Sequence, residues 1–100
     1  MPKVSVKVPH GGDPKDIVKK IQTALEKTVG SFEGHDLSID WQDTTGQFHF
    51  KSLGFTIAGT AQVDQDQVAV DIQLPLAAMM FKDRVEKAVS KNLTRAIEGS

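Results

Sequence analysis

No cysteine occurs among the 100 residues, which removes disulfide frameworks, thiol catalysis and thiolate metal sites together and fits a reducing compartment, with the cytoplasm as the default. Neither sign of charge dominates: 12 Lys and Arg face 13 Asp and Glu, a formal charge of −1. Bulk electrostatics therefore give no argument for nucleic acid or anionic membranes, and any basic patch must be local. No stretch approaches the roughly 18 consecutive apolar residues of a transmembrane helix. Lys3, Ser5 and Lys7 interrupt the N-terminal valines, so a secretory signal is not expected. No segment is low in complexity or repeats at a solenoid period. What remains, 39% hydrophobic and 25% charged residues, is the composition of an ordinary globular domain, and the length suits one domain over 1–100.

Catalytic and cofactor chemistry is equally sparse. His10, His35 and His49 lie in separate segments with no i, i+4 pair, so metal-ligand spacing is absent and neither a metal nor a cofactor is expected. No serine stands in a Gly-x-Ser-x-Gly elbow, and Asp36, Asp40, Asp64 and Asp66 are scattered over a strand face and a turn. No catalytic constellation results, and the expectation is a protein that is not an enzyme. Trp41, Phe48, Phe50 and Phe55 fall on inward-facing positions, which suits a core and disfavours an aromatic nucleic-acid platform.

The patterning that is present reads clearly. Val4, Val6 and Val8 alternate with polar residues as a half-buried strand that ends at Pro9. Asp13 and Pro14 then read as the N-cap and first position of a helix. Ile17, Val18, Ile21, Ala24, Leu25 and Thr28 form its apolar face, and Gly30 is the expected stop. Period two returns at Leu37, Ile39 and Trp41, then at Phe48 and Phe50. It continues at Phe55, Ile57, Gly59, Ala61 and Val63, and lastly at Val68, Val70, Ile72 and Leu74 before Pro75. Residues 76–98 lack Gly and Pro and repeat Ala78, Phe81, Val85, Ala88, Val89 and Ala96 at helical spacing. The expected fold is α+β: a two-layer sandwich with an antiparallel sheet of about five strands, order β-α-β-β-β-β-α, and both helices on one face. The expected core is Val6, Ile21, Leu25, Ile39, Trp41, Phe50, Ile57, Val70, Ile72, Phe81, Val85 and Val89. The small residues Gly59 and Ala61 are expected where a helix crosses the sheet.

Two features are candidate binding elements. His10 sits in a Gly-rich loop before the first helix N-terminus, where backbone amides can approach an anion or partner. On the last helix Arg84, Lys87, Lys91 and Arg95 advance by three, four and four as a basic stripe. Its like-charge i, i+4 pairs each cost a few tenths of a kcal/mol, so the stripe suits a partner as well as water. Met79 and Met80 fall outside the centre of the apolar face, and with Leu76 they offer adaptable hydrophobic surface where the helix begins.

Pro9 and His10 after the Val-rich strand, the string Phe48, His49, Phe50, Lys51, Ser52, Leu53, Gly54, Phe55, and Gly59 in the next strand carry a family resemblance. So do Phe81, Lys82, Asp83, Arg84, Val85 and Glu86, followed by Lys91, Asn92 and Leu93, after the short aliphatic run Leu74, Pro75, Leu76. Together they resemble the polyhydroxyalkanoic acid system proteins, small bacterial proteins often described as granule-region proteins. The resemblance implies a cytoplasmic, non-enzymatic protein associated with polyester storage granules, with the granule surface or a granule-associated protein as partner. The residues themselves support a binding module whose C-terminal helix offers methionines beside a basic stripe. The alternatives are a small-molecule or lipid carrier with a pocket between sheet and helices, and a structural domain that forms a homo-oligomer through its polar sheet face or an edge strand.

Overall fold

Strict alternation of apolar and polar residues builds the sheet, because a period of two sends every second side chain to one face. The computed structural model describes residues 3–99. The elements run β1 (Lys3–Pro9), α1 (Pro14–Ser31), β2 (His35–Gln42), β3 (Thr45–Ser52), β4 (Phe55–Val63) and β5 (Gln67–Gln73). A 3-10 segment (Leu76–Phe81) and α2 (Lys82–Gly99) complete the chain. All strand pairs are antiparallel, in the order β1-β5-β4-β3-β2. The expected order of elements and the α+β class are therefore present. The first strand lies beside the last, and β2 forms the opposite edge, so the β1–α1–β2 connection spans the sheet.

The inward residues of β1, β3, β4 and β5 pack with Ile17, Ile21, Ala24, Leu25 and Val29 of α1 and Val85, Val89 and Leu93 of α2 into a single core. Asp13 caps α1 by accepting a 3.0 Å hydrogen bond from the Lys15 amide, with Pro14 at the first helical position. The two helices are linked in their interface by a polar relay: Asn92 Nδ2 donates to Thr28 Oγ1 (2.8 Å), which donates to the Ala24 carbonyl (2.9 Å). The Thr28 hydroxyl thereby both donates and accepts, so the relay costs little in desolvation, whereas Trp41 Nε1 is buried without a partner among the described residues.

Four expectations are corrected. Ile39, Trp41 and Phe81 are only half-buried. Ile39 and Trp41 lie on β2, the edge strand opposite β1, which meets α1 less closely than β1 meets α2, and Phe81 borders an open cleft. The last helix does not run unbroken from Leu76: residues 76–81 are a 3-10 segment. Pro75 supplies no side-chain cap, and the Ala78 amide donates to the Pro75 carbonyl at 2.9 Å, the i→i+3 closure that tightens an uncapped first turn. Helix α1 passes Gly30 and ends at Ser31, with Phe32 as its cap. Gly34 is the position that must stay small, because a Cβ there would lie 2.8 Å from the Val29 carbonyl oxygen.

The fourth correction concerns Gly59. What lies nearest to it is a side chain of the sheet itself and not a helix. A Cβ on Gly59 would stand 2.6 Å from Phe48 Cζ and 2.5 Å from the Asp71 carbonyl oxygen, so the ring of its cross-strand partner Phe48 occupies the site. Trp41 covers Gly46 in the same way, 2.8 Å from where a Cβ would be, across the β2–β3 pair. Cross-strand aromatic cover of strand glycines recovers the packing that glycine lacks.

Candidate functional site: an apolar end beside a basic helix

Register creates the site. Gln73, at the end of β5, pairs with Ala58 on one side and Lys3 on the other. Phe55, Thr56 and Ile57 therefore project beyond β5, and the β3–β4 hairpin overhangs the sheet. The chain leaves β5 through Leu74 and Pro75, and the 3-10 segment follows. Between hairpin, α1 terminus and this segment lies a cleft of about 260 Å³. Phe32, Phe50, Leu53, Phe55, Ile57, Ile72, Leu74, Ala78, Phe81 and Val85 line it, with Thr28, Ser31, Glu33, Ser52 and Arg84 as its polar neighbours. Ser52 Oγ donates to the Phe32 carbonyl at 2.6 Å, which ties the hairpin to the end of α1.

The elements that bound the cleft also carry exposed apolar side chains, of which Leu53 lines the cleft itself. Among the described residues the exposed large hydrophobics are Leu53, Leu76, Met79 and Met80, at 61%, 76%, 53% and 79% exposure. Leu53 lies on the hairpin turn and the other three on the 3-10 segment, so all four belong to the two elements that bound the cleft. Scattered exposed apolar side chains are ordinary, whereas four of them on two neighbouring elements are less so. Leu53 is also held at φ 52, beside Gly54 at φ 84, the pair of left-handed residues that a two-residue hairpin requires. Asn, Asp or Gly suits that position, and a leucine there carries both backbone strain and an exposed side chain.

Met79 and Met80 are exposed as the sequence suggests, but on the 3-10 segment and not on a helix. Arg84, Lys87, Lys91 and Arg95 are all exposed on α2, and among the described residues none of them makes an ion pair. Arg84 borders the cleft, while Arg95 lies about 16 Å further along the helix at 1.5 Å per residue. The structure thus brings Met79, Met80 and Arg84 together at one end, from which the rest of the stripe leads away. Leu53 is the site residue that sequence patterning missed; its signal was a leucine next to glycine at a hairpin tip.

His10 lies at the other end of the strands. Its amide donates to the Asp66 carbonyl at 2.9 Å. The residue is 7% exposed, and Nδ1 accepts from the Gly12 amide (3.2 Å) while Nε2 lies 2.7 Å from the Asp64 carbonyl oxygen. An acceptor at Nδ1 places the proton on Nε2, which donates to Asp64. Both ring nitrogens are therefore engaged in joining the β1–α1 loop to the β4–β5 turn, and neither is free for an anion. Replacement of His10 by Ala is expected to lower stability by about 1–3 kcal/mol, since it leaves the Asp64 carbonyl and Gly12 amide without their partner; the shift in urea midpoint checks this.

Among the described residues no cluster of three His, Asp or Glu could hold a metal ion, and no helix is long and apolar enough to cross a membrane. A search of curated proteins gives no match. Among solved structures the chain is similar to TTHA0849 from Thermus thermophilus, at 12% identity and a TM-score of 0.40, over 97% of this chain and 94% of that one, a likeness too loose to bear on function. The family model described as "Putative polyhydroxyalkanoic acid system protein (PHA_gran_rgn)" matches residues 4–97. That span takes in every element from the first strand to the last helix, and the chain belongs to the polyhydroxyalkanoic acid system protein family.

Proposed function

We propose that this protein is a non-enzymatic docking domain of the polyhydroxyalkanoate storage system that sits on the polyester surface through its apolar end. The observation that supports this reading most is the gathering of Leu53, Leu76, Met79 and Met80 on two adjacent elements. An aliphatic polyester is apolar and irregular, and flexible methionines adapt to such a surface better than branched side chains do. The basic stripe adds attraction to anionic components of a granule and orients approach. The action is interfacial: the protein holds a place on the granule and changes no bond there.

Co-sedimentation of the full chain with polyhydroxyalkanoate particles across a salt series tests this. Changing Met79 and Met80 to Ser is expected to remove about 2 kcal/mol of apolar contact, roughly a thirtyfold loss of binding, at every salt concentration. Changing Arg84, Lys87, Lys91 and Arg95 to Gln is expected to weaken binding mainly at low salt, because the Debye length falls from about 10 Å at 0.1 M to about 3 Å at 1 M. Leu53→Asn separates docking from folding. It relieves the left-handed strain and is expected to raise stability by about 0.5–1 kcal/mol while lowering particle binding. Wild type that stays in the supernatant with bare polyester and with native granules alike contradicts the reading; binding to native granules alone assigns the contact to a granule protein.

A further inference from the structure

We propose that the cleft beneath the apolar end is a binding site for a single aliphatic chain that ends in one carboxylate, with the chain inside and the carboxylate on Arg84. This goes beyond surface docking, since it concerns a molecule taken up by the protein in solution. The chemistry of the walls selects the class. Phe50, Phe55, Ile57, Leu74 and Phe81 supply apolar contact. The three hydroxyls on the lining are already committed: Thr28 donates to the Ala24 carbonyl, Ser31 to Lys27 and Ser52 to Phe32. Nothing inside asks for a polar ligand atom. The volume of about 260 Å³ lies just below the roughly 300–1,000 Å³ of ordinary small-molecule sites, which suits one short aliphatic chain.

The border supplies the head-group preference. Arg84 is exposed on the lining and, among the described residues, has no ion-pair partner; a guanidinium so placed matches a carboxylate in two parallel hydrogen bonds. Glu33 lines the same cleft, and its charge repels a doubly charged head such as a phosphate monoester about twice as strongly as a single carboxylate. A free alkanoate or hydroxyalkanoate and the carboxyl end of a polyester chain share this chemistry.

Calorimetric titration of the full chain with hexanoate, octanoate, decanoate, dodecanoate and octan-1-ol, below their aggregation limits and without granules, is the test. Affinity is expected to rise about fourfold per methylene while the chain still gains wall contact, then to level off before dodecanoate, once the cleft is full. Arg84→Gln, a surface change that spares the fold, is expected to weaken octanoate about five- to tenfold and leave octanol unchanged. Ala78→Leu, which fills the cleft from the 3-10 segment, is expected to weaken both. A short 3-hydroxyalkanoate oligomer with a free carboxyl end, compared with its methyl ester, reports on the polymer end as source; binding by either acid source supports the site. No binding of any acid, affinity that climbs through dodecanoate without levelling, or full octanoate affinity in Arg84→Gln overturns the proposal. These results are read without granules, so they leave the docking reading to its own experiment.

Discussion

Phe48→Ala is expected to cost about 3–5 kcal/mol of unfolding free energy, the range for truncating a large side chain in a site that relaxes only partly. Phe48 is 2% exposed, its ring lies 6.5 Å from that of Phe50 at an interplanar angle of 10°, and it covers Gly59. Its removal opens a void over a glycine, and a glycine has no side chain that can swing in. Phe50→Ala belongs in the same range, with Phe50 at 5% exposure. Phe81 is half-buried at the cleft, so Phe81→Ala is expected to fall below that range. Urea unfolding of the three variants checks the order; a cost below about 1 kcal/mol at Phe48 and Phe50 contradicts the assigned core.

The reverse error at the same place is expected to be nearly as damaging. Gly59→Ala puts a Cβ 2.5 Å from the Asp71 carbonyl oxygen and 2.6 Å from Phe48 Cζ. The ring can tilt, whereas the carbonyl belongs to the β4–β5 ladder and cannot withdraw without breaking strand pairing. A cost of about 2–3 kcal/mol follows. Because two contacts contribute, a double-mutant cycle with Phe48→Ala is expected to recover part of that cost and leave the share due to the carbonyl. Complete additivity shows that Phe48 and Gly59 do not share the space.

Why some of this is legible in the sequence and some is not follows from the range of the interactions. Alternation at Val4, Val6 and Val8 and the Asp13–Pro14 start of α1 are local, and local chemistry decides them; so the element order and fold class could be read directly. The sheet order is a long-range property. Ile39 and Trp41 show the same period of two as Val70 and Ile72, but β2 is an edge strand that meets α1 less closely than the other edge strand, β1, meets α2, which leaves them half-exposed. Gly59 is ambiguous alone for the same reason: a small residue signals close approach, and what approaches is a ring eleven positions back in sequence on β3. His10 is held by the carbonyl of Asp64, far along the chain, and nothing in the Pro9–Gly12 loop announces that partner. Residues 76–81 have the composition of a helix, and the missing cap at Pro75 tightens them into a 3-10 turn. The methionines and Arg84 could be singled out because amphipathic spacing excludes them from the core. Leu53 and the cleft could not, since both depend on the hairpin overhanging β5.

The most direct test of docking through the apolar end uses the absence of cysteine, which allows one thiol to be placed at a time. Leu53→Cys and Met80→Cys label the cleft end with a polarity-sensitive dye, and Gln65→Cys labels the exposed β4–β5 turn at the other end of the strands. On addition of polyester particles the expected result is a blue shift and enhanced emission at positions 53 and 80, with position 65 unchanged. An equal response at all three positions, or a response at position 65 alone, contradicts docking through this end.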